Sequence, residues 1–277
     1  MKRPGWEEEW TPSPGPGSPL TPWAWALLGW LAWMFIQTWP LGGPRPLTPL
    51  DQALTQLAER LDPRADSVIW VGDSRLRHAL PEGPVMRETI AQAWSPTGRA
   101  VRMRRLTVPW LDAPALETRL ARLVALQPGL VVLQLEVLLP PPFHPALRDP
   151  AAFGEPLDLE GGGGARGARV RRLWEDRGFS VSPEHAAAGV RLLTGLQDSG
   201  VPVVLVQLPQ SETVRDLARP GYAEAQAAAA RTLFDAPVVT PLATAPDHWF
   251  KDQLHMTPAG AEAFGPGLLS AVFEARP

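Results

Sequence analysis

An α/β domain, with a five-stranded parallel sheet held between two helical layers, is the fold this sequence predicts. Two observations carry that expectation. Five short apolar runs lie at 67–71, 100–106, 130–135, 201–208 and 237–240, and stretches of helical composition lie between and after them at 113–126, 183–196, 222–234 and 258–273. Strands alternating with helices return the chain to the same edge of each strand, which makes the sheet parallel and covers both its faces. Four of the runs are dominated by Val, Ile and Leu, as strands buried on both faces require. The run at 100–106 instead alternates Arg with apolar residues and reads as an edge strand.

The front of the chain has a different texture. Residues 1–22 hold Pro4, Pro12, Pro14, Pro16, Pro19 and Pro22 with interleaved Gly, a composition that buries little and maintains no helix. From Trp23 to Leu41 there is no charged residue, a length that crosses a hydrocarbon core of about 30 Å at about 1.5 Å per helical residue. Trp23, Trp25 and Trp39 lie near its ends, where indoles favour the membrane interface. A cleaved signal peptide is the competing reading, but the apolar run is long for one and no Ala-x-Ala site follows. A buried core helix is a second alternative. Lys2, Arg3 and the amino terminus precede the span and Arg45 follows it, so the expected topology is single-pass in a bacterial cytoplasmic membrane with the C-terminal domain outside. The predicted organisation is a tail at 1–22, a transmembrane helix at 23–41, a linker and helix at 42–65 and the α/β domain at 66–277. Leu50, Leu54, Leu57 and Leu61 supply the helical spacing for the linking helix.

Composition excludes several functions. A net charge of -3 and a pI near 6.0 do not suit a protein that must displace counterions from a phosphate backbone, so nucleic acid is not an expected partner. With no cysteine, neither disulfides nor thiolate metal sites are available. Lys2 and Lys251 are the lysines among 26 basic residues; the arginines are dispersed and read as a solvated surface. The stretch from Pro140 to Gly167 is Pro-rich, then acidic, then carries Gly161 to Gly164 in a row. A flexible insertion explains it better than a phosphate cradle, since no strand leads into the glycines and no Lys-Ser or Lys-Thr follows.

The chemistry is expected beyond the carboxyl ends of the strands. The first run ends in Gly72-Asp73-Ser74 and leads into Arg75-Leu76-Arg77-His78, of helical composition. Ser74 therefore sits at a strand-to-helix turn, where its N–H can face a developing oxyanion; the alternative is that Ser74 only caps the helix. Near the C-terminus, Asp252-Gln253-Leu254-His255 precedes Thr257 and Pro258, an N-cap and a first-turn proline for the last helix. Asp and His three apart in a turn can bond to each other, fixing the imidazole tautomer and leaving the second ring nitrogen for a serine. A surface capping role for His255 is the alternative. Asp247, His248, Asp252 and His255 also lie close enough in sequence to raise a zinc site, but their spacing matches no helical ligand pair. No cofactor is expected. His144 and His185 lie in predicted loops, His78 is placed in solvent or at the site rim, and Trp249 and Phe250 either line a pocket or anchor the loop.

On Gly72-Asp73-Ser74 and Asp252-x-x-His255 the chain resembles the SGNH, or GDSL-like, hydrolase superfamily over about residues 66–275. The resemblance implies a flavodoxin-like three-layer fold with Ser74 as nucleophile, His255 as general base and Asp252 as its orienting partner. Two further motifs of that family depart. The loop after the second strand reads Thr107-Val108-Pro109-Trp110 where a glycine N–H is usual, and Pro109 has no N–H. The third strand reads Gln134-Leu135-Glu136-Val137 where Gly-x-Asn-Asp is usual. An ionised Glu136 accepts hydrogen bonds only, whereas Gln134, expected on the same strand face, offers an amide donor. Gly72, Asp73, Gln134, Glu136 and Trp249 are thus the oxyanion or pocket candidates. An anchored serine enzyme short of oxyanion donors resembles the alginate and peptidoglycan O-acetyltransferases and the teichoic acid D-alanine transfer protein. That likeness implies an envelope polysaccharide or other O-acyl ester as substrate and a membrane-bound O-acyltransferase as partner. An anchored esterase using water and a non-catalytic subunit are the competing functions.

Overall fold

The computed structural model describes residues 47–62, 64–81, 101–141, 179–218 and 220–277. The predicted tail and transmembrane segment, His144 and the glycine run 161–164 lie outside the described residues. Among the described residues no helix is long and apolar enough to cross a membrane.

The chain enters through α1 (Pro49–Arg60), started by Thr48, whose side chain accepts the Asp51 N–H, and by a first-turn proline. Leu50, Leu54 and Leu57 form its buried stripe. Next come β1 (Asp66–Gly72) and α2 (Ser74–Ala79), β2 (Val101–Thr107), then α3 (Ala113–Glu117) and α4 (Leu120–Ala125). A single helix is predicted at 113–126, but the Thr118 hydroxyl bonds back to the Ala115 carbonyl, a local alternative to the helical ladder, and the chain restarts at Leu120. Arg119 and Arg122 of this segment both reach the Asp51 carboxylate, at 2.8 and 2.7 Å, and tie it to α1.

β3 (Leu130–Gln134) runs directly into a single helical turn, α5 (Leu135–Leu138). From residue 179 the described chain continues through α6 (Pro183–Asp198), β4 (Val203–Val206), β5 (Gln210–Ser211), α7 (Glu212–Leu217), α8 (Tyr222–Leu233), β6 (Val238–Val239), β7 (Thr244–Ala245) and α9 (Pro258–Ala275). Strands are predicted at 201–208 and 237–240. Both shorten, because Pro202, Pro209, Pro237 and Pro241 bracket them and donate no ladder hydrogen bond. The sequence reading does not anticipate α7 or the small parallel pair β5–β7.

The main sheet has five strands, all parallel, in the order β2-β1-β3-β4-β6. β2 is at the edge as its arginines require, and two of them finish the neighbouring chain: Arg104 donates to the Arg60 carbonyl, and Arg105 to those of Leu80 and Pro81. Successive residues of a strand face opposite layers. Ile69, Val71, Val131 and Leu133 pack with α1, α4, α6 and the end of α8, while Val68, Trp70, Val132 and Val204 pack with α2 and α9. Every one of these strand residues is buried, which is why the strands read as continuous apolar runs.

Candidate active site

β1 is the strand at which the sheet order reverses: the chain moves to β2 on one side and later to β3 on the other. The connections after β1 and β3 therefore diverge and leave a crevice at their carboxyl ends. Ser74 follows β1, and Gln134 and Glu136 come at the end of β3. The loop before α9 brings the third contribution.

In that loop the Asp252 carboxylate accepts the N–H groups of Leu254 and His255, at 3.2 and 2.7 Å. This self-bonding turn, with Gln253 at φ 60, folds the His255 ring onto the same carboxylate, Nδ1 lying 2.8 Å from Oδ2. Nε2 of His255 lies 2.9 Å from Oγ of Ser74, 181 residues away in sequence. Asp252 requires a proton on Nδ1, so Nε2 is the acceptor for the serine hydroxyl. Burial acts to raise the Asp252 pKa, but its bonds to His255 outweigh this and hold the carboxylate below its ordinary range. The loop is clamped at its far end. Thr257 caps α9, its N–H donates to the Trp249 carbonyl at 2.7 Å, and Gly260 packs on the Trp249 backbone.

Asp73, not Ser74, caps α2: its side chain accepts the Arg75 N–H at 2.8 Å. Ser74 is the first helical residue, so its hydroxyl is released from capping, and its N–H has no intrahelical partner. Gly72 is required here, since a Cβ would meet Gln134 Oε1 and would lie 2.6 Å from Leu76 Cδ2. The contact exists because Gln134 reaches under the turn and accepts the Asp73 N–H at 2.9 Å.

This revises the expectation for β3. Gln134 and Glu136 do not share a strand face, because the strand ends at Gln134 and the chain turns helical at Leu135. Gln134 is fully buried, with its oxygen committed to Asp73 and its Nε2 without a hydrogen-bond partner among the described residues. Glu136 is buried beside Arg75, 3.8 Å from that guanidinium. Burial pushes the Glu136 carboxyl above its ordinary range against the pull of Arg75, so it is not simply an ionised acceptor. Asp73 goes the other way. Burial opposes its ionisation, but the charge and hydrogen bonds of Arg75, with Nη2 3.0 Å away, keep it below the usual carboxylate range.

Arg75 is half-buried at this site, paired with Asp73 and facing Glu136, and its only signal in the sequence is its place next to Ser74. The other predicted positions are as follows. His78 lies at the rim, its ring 5.2 Å from that of His255, with Nε2 3.3 Å from Lys251 Nζ. Burial, then Lys251 and His255, lower its pKa, which keeps the ring neutral and able to accept from the ammonium. Val108 donates its N–H to the Gly72 carbonyl, and Trp110 takes φ 59 after Pro109. Trp249 packs against the α9 side of the core, while Phe250 lines a cavity. Asp247 turns to the backbone and hydroxyl of Thr213, and among the described residues no three His, Asp or Glu side chains converge as metal ligands. His185 sits inside α6 rather than in a loop, bonded to the Ser182 cap.

No family model matches the chain, and no curated protein matches it. Solved structures similar to it include TesA, with 18% identity over 73% of this chain and 96% of that one at a TM-score of 0.43. The esterase EstA from Pseudoalteromonas sp. has 10% identity over 76% and 97%, at 0.42. AlinE4, an SGNH-hydrolase family esterase, has 19% identity over 78% and 98%, at 0.40.

Proposed function

We propose that this chain is a membrane-anchored serine acyl enzyme that acts on O-acyl groups of cell-envelope polysaccharide, transferring an acyl group through Ser74. The observation that carries the chemistry is the chain of contacts Ser74 Oγ to His255 Nε2 at 2.9 Å and His255 Nδ1 to Asp252 Oδ2 at 2.8 Å. In the first half-reaction Oγ attacks the donor's acyl carbon as its proton passes to Nε2. The carbon–oxygen bond to the leaving alcohol then breaks, and the imidazolium returns the proton to that oxygen. In the second, an acceptor hydroxyl gives its proton to Nε2, attacks the acyl-serine and regenerates Ser74. Asp252 holds the tautomer and stabilises the imidazolium throughout.

A sugar hydroxyl, rather than water, as acceptor is supported by the donors available to the oxyanion. The Ser74 N–H is free of the helix ladder, but the Val108 N–H is spent on Gly72, Pro109 has none, and Gln134 points its oxygen at Asp73. Each missing donor costs about 2.7 to 4 kcal/mol of barrier, and a bound, oriented acceptor can offset that where bulk water does not. Anchoring rests on the 19 uncharged residues from Trp23 to Leu41. An extracytoplasmic domain and a membrane-bound O-acyltransferase as partner complete the reading.

The test is fluorophosphonate labelling together with acetate release from an aryl ester, with and without a sugar acceptor. Expected are labelling that disappears in Ser74→Ala and His255→Ala, and release accelerated by the acceptor. A wild type that takes no label would overturn the serine mechanism, and release indifferent to acceptors would make the enzyme an esterase.

A further inference from the structure

Two sets of contacts fix the catalytic groups separately. Asp252 and the Trp249–Thr257 pairing shape the His255 loop, while Asp73 and Gln134 shape the turn at Ser74. Proton transfer depends in addition on the register of one against the other, since a displacement of about 1 Å costs on the order of 10²-fold in rate. The Ser74–His255 hydrogen bond cannot hold that register throughout. Once Oγ carries the acyl group it has no proton to share with Nε2, and the second half-reaction proceeds without that bond.

His78 and Lys251 supply a connection that persists. His78 stands four residues after Ser74 in α2, so the two side chains leave the same face of the helix one turn apart. Its ring meets the His255 ring edge to face, with centroids 5.2 Å apart and planes at 76°, within the range at which such pairs attract. On the loop, the Lys251 N–H donates to the His255 carbonyl at 2.9 Å, and Phe250 pairs with Met256 as an antiparallel bridge. Lys251 therefore lies across the hairpin from His255, and its ammonium reaches back to α2 and donates to His78 Nε2 at 3.3 Å. Burial, then Lys251, His255 and Arg77, keep the His78 imidazole neutral against the pull of Asp252, so Nε2 retains the lone pair this bond uses. The same engagement leaves His78 unable to act as a second base.

We propose that His78 and Lys251 are positioning residues for the acyl-transfer reaction, which hold the His255 imidazole against Ser74 by tying the histidine loop to the nucleophile helix. This rests on the serine mechanism proposed for Ser74 and His255. Lys251 is exposed and His78 half-buried, so their contact contributes little to folding. Its loss is felt in the rate and not in the stability.

The experiment is a double-mutant cycle in the full-length protein, with His78→Leu, Lys251→Met and the two together, followed by kcat on an aryl ester and by thermal melts. Each single variant should lower kcat roughly three- to tenfold, the scale of one hydrogen bond or ring pair, with Tm within about 2 °C of the wild type. The double variant should match His78→Leu, because Lys251 acts through that ring. Lys251→Arg, which keeps a donor, should recover most of the loss. A readout that needs no turnover is the proton on His255 Nδ1, bonded to Asp252: its exchange with water, followed by proton NMR, should quicken in both single variants. Wild-type kcat in the single variants, losses that multiply in the double variant, a kcat loss that comes with a large fall in Tm, or unchanged proton exchange would each overturn the inference while Ser74-dependent turnover still supports the serine mechanism. A wild type without Ser74-dependent turnover would defeat both.

Discussion

Replacing Gln134 by Leu tests whether that side chain supports the nucleophile turn or donates to the oxyanion. Gln134 Oε1 accepts the Asp73 N–H at 2.9 Å, Gln134 is fully buried and Asp73 is 6% exposed, so Leu would leave a backbone donor in a dry site. An unsatisfied buried donor costs about 1 to 3 kcal/mol. For a domain of this size each kcal/mol lowers Tm by about 2 to 4 °C, which gives an expected fall of about 2 to 12 °C. The Gln134 amide nitrogen has no hydrogen-bond partner among the described residues, while its side chain helps to hold the Asp73 carboxyl low. Because Ser74, His255 and Asp252 keep their mutual contacts, kcat should fall by less than about tenfold, whereas loss of an oxyanion donor removes about 10² to 10³. Thermal melts followed by circular dichroism, paired with steady-state kinetics on an aryl ester, give both numbers. An unchanged Tm with kcat down a hundredfold or more would refute the supporting role and make Gln134 the oxyanion donor.

Three further predictions concern the His255 loop. Asp252→Asn should leave the fold intact and lower kcat by about 10⁴-fold, since an amide favours the wrong imidazole tautomer; circular dichroism and kcat check it. The Asp252 pKa is lower in the folded chain than its ordinary value of 3.8, so the native state binds fewer protons than the unfolded one. Its stabilising contribution is therefore complete above that ordinary value and is lost as pH falls through the folded pKa; acid denaturation of Asp252→Asn should be less steep there than that of the wild type. Gly260→Ala would drive a methyl into the Trp249 carbonyl and to within 2.8 Å of Trp249 Cβ. Backbone cannot yield as a flexible side chain does, so both Tm and kcat should fall, and a variant with wild-type values of both would show that the loop is not clamped there.

Much of this architecture is local in origin and so was legible residue by residue. β1, β3 and β4 are buried on both faces and rich in Val, Ile and Leu, the edge strand β2 carries arginines, and Thr257-Pro258 is a helix start under any tertiary arrangement. Asp252 and His255 bond to each other as their spacing allows, because a four-residue turn closes through its own backbone. Local pattern failed at the end of β3. Alternation predicts a shared face for Gln134 and Glu136 only while a strand continues, and the chain becomes helical one residue after Gln134. At Ser74 local pattern leaves a helix cap as the alternative, and the structure gives that role to Asp73.

What the sequence by itself determined is the alternation of buried strands and helices, the edge position of β2 and the two motifs that carry Ser74, Asp252 and His255. Tertiary structure alone decided how they meet. Sheet order brings a serine within 2.9 Å of a histidine 181 residues away, turns Gln134 under Asp73 across 61 residues, and sets Arg75 between Asp73 and Glu136. The physical reason is that hydrogen bonding and desolvation at such a site depend on which strand ends become neighbours, and no spacing along the chain encodes that.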